Sequence, residues 1–205
     1  MIVKSAIANV INGGKKMEYS MQEKYVLIKN AIMKEDSLNP IIIAKNVMKN
    51  NFVSIHGPEH HFLDGASFLK AIYNSKPFFD LDYALDELAN RSIKMPGAMC
   101  GYWGICGSVA SIGAALSVLH KTGPLSNDQF YKEHMEYTSS VIKIMSKVCG
   151  PRCCKRNAFI SISEGIKFIK EKYGIELEIE KISCDFSSFN KQCIKSKCPF
   201  HKDGE

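Results

Sequence analysis

No apolar run in this 205-residue chain reaches the roughly 18 residues that a membrane-spanning helix requires, which argues against a helical membrane protein. Phosphate-binding signatures are missing too. There is no Gly-x-x-x-x-Gly-Lys-Ser/Thr loop, no Gly-x-Gly-x-x-Gly behind a strand and no Ser/His/Asp set of recognisable spacing. The familiar nucleotide-dependent and serine-hydrolase classes are therefore set aside. Tryptophan occurs once, at Trp103, and 27 Lys and Arg outnumber 21 Asp and Glu, leaving a net charge of +6. Internal repeats and low-complexity tracts are also lacking. The N-terminal stretch has no signal-peptide core, so residues 1–18, with Gly13-Gly14 and Lys15-Lys16, read as a loose leader. The cytoplasm is the expected compartment.

What the chain has in quantity is cysteine: eight residues, grouped at 100/106, 149/153/154 and 184/193/198, within a chain that is 45% apolar. That apolar content supports one hydrophobic core. In a reducing compartment such cysteines point to metal binding or catalysis rather than to a disulfide framework. From Val141 onward 13 Lys and Arg face 8 Asp and Glu, so +5 of the net charge lies in the last third. A basic surface of this kind suits nucleic acid. It equally offsets the negative charge of thiolates around a metal, and the lysines interleave with the cysteines. A plain solvated surface is the third reading.

Hydrophobic periodicity is helical almost throughout. Met21, Tyr25, Ile28, Ile32 and Met33 form one stripe, and Asn39-Pro40 opens a second helix that runs to about Asn50. Pro58 suits the first turn of a third, continuing through Phe68, Leu69 and Ile72. Further helices are expected over Asp80 to Ile93, from Gln129 to about Val148 behind a Ser126-Asn127-Asp128 cap, and from Pro151 to Tyr173-Gly174. Residues 106–120 make a helix of Ala, Ser and Gly, whose small side chains let another backbone approach closely. Ile175 to Glu180 alternates apolar and acidic residues and predicts one short strand. The expected fold is mainly α: a single-domain helical bundle (19–174) around that central helix, with a Cys-rich, metal-tied segment (175–205) packed on it.

Four features carry chemistry. His56, His60 and His61 fall within six positions, half of the chain's histidines, and a neutral imidazole is both a metal ligand and a general base. Capping and packing are the plainer roles. Adjacent residues on a helix differ by about 100°, so at most one of His60 and His61 is expected to share a face with His56. Cys106 falls at the start of the small-residue helix, and Cys153 and Cys154 fall in a first turn flanked by Arg152, Lys155 and Arg156. Helix N-termini and cations both lower a thiol pKa. One of the adjacent pair is expected to face the site and the other a neighbour. Together with Cys100, these residues form the expected reactive set. His120 and His134, alone in their surroundings, read as structural. Finally, Cys184, Cys193, Cys198 and His201 lie in a polar tail that cannot build a core unaided, so a metal is expected to hold it. Zinc would take the three cysteines and His201. A four-iron cluster would take them with another thiolate, Cys153 or Cys154.

These motifs resemble an uncharacterised family of cysteine-rich bacterial and archaeal domains. The resembling segments are His-Gly-Pro-Glu-His-His (56–61), Met-Cys-Gly-Tyr-Trp-Gly-Ile-Cys-Gly (99–107), Gly-Pro-Arg-Cys-Cys-Lys-Arg (150–156) and a Cys-rich run holding Asn190-Lys191-Gln192-Cys193 and Cys198-Pro199. They span about 70% of the chain. Members of that family commonly carry Gly before Gly-Pro-Arg-Cys-Cys, so Cys149 departs from the pattern and reads as a packing residue. The family occurs alone or joined to methyltransferase-like domains, which implies methyl, sulfur or one-carbon chemistry or a methyltransferase-like or redox partner. The leading expectation is a cytoplasmic metal- or Fe–S-binding protein with redox or thiol-transfer activity. The alternatives are a zinc-dependent enzyme of sulfur or methyl metabolism, an accessory module that docks on a methyltransferase or on RNA, and a thiol redox switch.

Overall fold

Four helices start where a polar side chain caps them. Ser20 and Glu23 form a reciprocal capping box before α1 (Met21–Met33), and Asn39 Oδ1 accepts from Ile41 and Ile42 N–H before α2 (Pro40–Met48). Asp80 caps α4 (Leu81–Ser92) and Asp128 caps α7 (Gln129–Met145). The computed structural model describes residues 18–148 and 150–202. Residues 1–17 of the expected leader, and Cys149, lie outside the described residues.

The remaining helices are α3 (His60–Ser75), the single turn α5 (Met99–Tyr102), α6 (Gly107–Leu119) and α8 (Cys154–Tyr173). The fold is mainly α, as the periodicity implied. Its centre is a pair of helices rather than one. α3 is buried continuously from His60 to Ile72 and packs against α1, α2, α4, α6 and α8. Glycine makes the α3–α6 contact possible. The Gly65 N–H donates to Ser111 Oγ at 2.8 Å, and a Cβ on Gly65 would lie 2.7 Å from the Ser111 carbonyl oxygen. On the next side of α6, a Cβ on Gly113 would lie 2.7 Å from Thr138 Cγ2 of α7.

Two expectations are corrected, and one element is new. The stretch 175–180 is extended, but the described residues contain no strand. Its alternation instead lays Ile175 and Leu177 against the helical core, and its backbone is tied by Glu178 N–H to the Leu38 carbonyl. Pro151 does not open α8. The helix starts at Cys154, with Cys153 as its N-cap accepting from the Arg156 N–H, because a thiol can take that capping role. The Gly-rich stretch before α6 also folds a separate turn, α5, whose preceding residue Ala98 is held at φ 63°.

The tail is anchored to the helices by more than its cysteines. Phe186 is buried beneath the Lys155 ammonium, and Phe200 packs edge-on against Phe159. The Cys184 N–H closes onto the Phe200 carbonyl at 2.7 Å, and Lys45 reaches both the Ser183 carbonyl and Asp185. Half-buried His120 and buried His134 form a pair joined to Thr122 and stacked beside Phe130, a packing role.

Candidate functional site

The start of α8 separates two cysteine-lined cavities. Cys153 and Cys154 point to opposite sides of it, as the 100° step between neighbouring helical positions allows. Cys154 borders the larger cavity, of about 290 Å³, together with Cys100 and Cys106. Cys153 borders the smaller one with Cys184, Cys193 and Cys198. The expected reactive set is therefore divided.

The larger cavity is built from helix beginnings. α3 contributes His60 and His61, α6 contributes Gly107 and Ser108 behind its N-cap Cys106, and α8 contributes Cys154 and Asn157. Gly107 is required there. A Cβ on it would lie 2.2 Å from two atoms of the His61 ring, so the imidazole occupies the space a side chain would take. All three clustered histidines line the cavity, which corrects the expectation that only one of His60 and His61 could join His56. The cavity wraps the end of α3 instead of facing one side of it. Tyr102, Trp103 and Ile105 bulge away, with Trp103 63% exposed.

Helix starts were expected to lower the thiol pKa values, and burial reverses that. It pushes Cys154 up to about 12, against the help of the Gly57 N–H, and it raises Cys106 although Asn157 Nδ2 donates to its sulfur at 3.2 Å. These are neutral thiols at physiological pH.

A buried polar chain runs between the cavities. His56 Nε2 donates to Asn190 Oδ1 at 3.1 Å, its Nδ1 accepts from Cys154 N–H at 3.4 Å, and Asn190 Nδ2 in turn donates to Cys153 Sγ at 3.7 Å. This network fixes the His56 proton on Nε2. Burial lowers the His56 pKa. Beside it, Lys155 Nζ donates to the Ser54 carbonyl at 2.9 Å and to His60 Nε2 at 3.0 Å. His60 Nε2 also lies 3.1 Å from the Ser54 carbonyl oxygen, and its Nδ1 lies 3.6 Å from Asp64 Oδ1. Both carboxylate oxygens of the fully buried Asp64 lack a hydrogen-bond partner. Burial pulls Lys155 down to about 8. Burial alone would raise Glu59, but hydrogen bonds led by the Ser54 N–H hold it at about 2, and Lys24 pairs with it at 3.1 Å.

In the smaller cavity the sulfurs already accept backbone hydrogen bonds. Cys184 Sγ accepts from Phe186 N–H at 3.4 Å, Cys193 Sγ from Lys195 N–H at 3.4 Å, and Cys153 Sγ from Arg156 N–H at 3.5 Å. Cys198 Sγ has the Phe200 backbone two positions on, in the same relation. Lys155 and Arg156, both buried, border the same space, as does His201. Free space there is about 20 Å³. Among the described residues no group of three or more His, Cys, Asp or Glu is placed to hold a metal ion.

Sequence reasoning passed over Asp64, Asn157 and Ser108, and gave Asn190 no role beyond its place in the resembling motif. Asp64 had a signal, since it follows His60 by four positions on one helix face. Asn190 had none, because its value lies in reaching His56 across 134 positions of chain.

No curated protein and no solved structure matches the chain. Over residues 28–201 it matches DUF5714, a family of unknown function, and the chain belongs to that family.

Proposed function

We propose that Cys153, Cys184, Cys193 and Cys198 bind a metal centre, and that the adjoining cavity of Cys100, Cys106 and Cys154 carries redox or thiol-transfer chemistry on a small molecule. One observation carries the reading: four sulfurs border a single small cavity, and three of them already accept a backbone N–H. Amide hydrogen bonds to sulfur stabilise thiolate and tune a bound metal. Lys155 and Arg156 supply positive charge against a four-thiolate site. The donor set is soft and suits zinc or an iron–sulfur cluster. Binding would require the side chains to turn inward, since they do not converge on an ion as they stand. When bound, an iron cluster would supply one-electron chemistry and zinc would supply charge and a structural knot.

The chain's own part is clearer in the larger cavity. Its thiols are neutral, so reaction at Cys106 or Cys154 needs a proton acceptor. His56, His60 and His61 all line the space. A second reading, a closed structural zinc site, is favoured by the small free volume of about 20 Å³ beside the four sulfurs. Anaerobic purification with metal analysis and a visible spectrum tests both. Stoichiometric iron with broad visible absorption supports a cluster, and colourless stoichiometric zinc supports the second reading. A metal-free, colourless protein overturns the ligand assignment.

A further inference from the structure

The geometry points to the larger cavity as the binding site for the anionic group, carboxylate or phosphate, of a small thiol or disulfide. This deepens the reading of that cavity as the place where thiol chemistry occurs, and rests on it. It does not depend on which metal the tail holds.

The N-terminus of α6 is only weakly capped. Its N-cap is Cys106, whose sulfur lies against the Ser108 and Val109 N–H groups but makes no capping hydrogen bond of ordinary geometry. The first-turn N–H groups of a helix have no partner inside the helix and carry its positive end, which together favour an anion. A helix start alone would not establish a site. Two further observations do.

Ser108, one position into α6, lines the cavity and is only 4% exposed, yet its Oγ has no hydrogen-bond partner. A buried hydroxyl left unpaired costs about 1–3 kcal/mol, and a ligand acceptor at this point would remove that cost. Arg152 reaches the same cavity from the loop before α8, and among the described residues it has no ion-pair partner. A guanidinium offers planar, paired donors suited to carboxylate and phosphate.

The nearby carboxylates do not compete. Glu59 is held by Lys24 and by the Ser54 backbone, and Asp64 lies behind His60 without lining the cavity. The volume of about 290 Å³ is at the lower end of small-molecule sites and suits a ligand of a few heavy atoms. The other walls are the thiols of Cys100, Cys106 and Cys154. An anion held at Ser108 and Arg152 would present the rest of its molecule to sulfur.

The test is isothermal titration calorimetry of the protein as purified under reducing conditions, with thioglycolate, acetate, inorganic phosphate and the neutral thiol 2-mercaptoethanol, up to about 20 mM, the range for a weak small-ligand site. Saturable binding of thioglycolate or phosphate is expected, with 2-mercaptoethanol not binding. Thioglycolate well ahead of acetate and phosphate identifies a carboxylate thiol, and phosphate ahead identifies a phosphorylated one. Arg152→Met should weaken binding about tenfold or more and Ser108→Ala several-fold. The circular dichroism spectra of the unliganded variants should match the parent, with the thermal midpoint of Arg152→Met unchanged and that of Ser108→Ala no lower. The proposal is overturned if no anion binds saturably, if 2-mercaptoethanol binds as well as thioglycolate, or if both variants bind like the parent. Metal content is measured on the same samples, so a failed tail assignment and a failed anion site are told apart.

Discussion

Replacing Gly65 by alanine tests the helix pair on which both cavities are hung. The added Cβ would lie 2.7 Å from the Ser111 carbonyl oxygen, 2.8 Å from Ser111 Oγ and 3.0 Å from Leu88 Cδ2. Ordinary contact begins at about 3.4 Å, so α3 and α6 must part by about half an ångström. The obstacle includes backbone, which cannot rotate away as a side chain could. Overpacking of this kind costs typically 1–3 kcal/mol, and stretching the Gly65 N–H bond to Ser111 Oγ adds about 1 kcal/mol. Alanine's better helix propensity returns about 1 kcal/mol. The net expectation is a loss of about 1–3 kcal/mol, or a fall in thermal midpoint of about 3–10 °C for a chain of this size. Urea unfolding followed by far-ultraviolet circular dichroism measures it. Gly101→Ala, whose Cβ would meet nothing within 4 Å, is the control and should change stability by less than about 0.5 kcal/mol. A Gly65→Ala protein as stable as the parent would refute the close approach of α3 and α6.

Three further outcomes follow from local physics. Burial, and then the neighbouring His120, hold His134 at about 4, below its unfolded value of 6.5. Between those values the unfolded chain binds more protons, so stability is full above about pH 6.5 and is lost as pH falls towards 4. The loss amounts to about 3 kcal/mol unscreened, and about 1–2 kcal/mol once solvent around the pair is allowed for. His134→Gln should flatten the profile in urea titrations across that window. Asn39→Ala removes an acceptor for two N–H groups and should cost about 1 kcal/mol in the same assay. Lys155→Met removes a donor shared by the Ser54 carbonyl and His60 Nε2, but these two lie 3.1 Å apart and can bond each other in its absence, so the loss should stay near about 1 kcal/mol. A Lys155→Met protein as stable as the parent would mean that the ammonium is dispensable to the buried chain.

The helices were legible because their signals are local. Ser20 with Glu23, Asn39-Pro40 and Asp80 cap where they stand, and Gly174 takes the left-handed conformation that ends α8. The separation of Cys153 from Cys154 was legible for the same reason, being a matter of helical pitch. What alternation in 175–180 could not reveal was the lack of a pairing strand, since an extended segment lying on helices shows the same two-residue period. The thiol pKa values were misjudged because burial is a tertiary property: the helix start and the cations beside Cys154 are visible in sequence, and the walls that desolvate it are not. The reach of Asn190 to His56 and Cys153 was hidden by chain separation. What stayed hidden for Asp64 and Lys155 was their burial, since charged residues ordinarily face solvent.

The most direct measurement is metal content per chain for the parent, Cys153→Ser and Cys154→Ser, purified anaerobically side by side. The two substitutions are chemically identical and adjacent in sequence, but they remove sulfurs from different cavities. The account predicts a stoichiometric metal in the parent and in Cys154→Ser, and its loss from Cys153→Ser. A metal-free parent, or metal retained by Cys153→Ser and lost from Cys154→Ser, would contradict it.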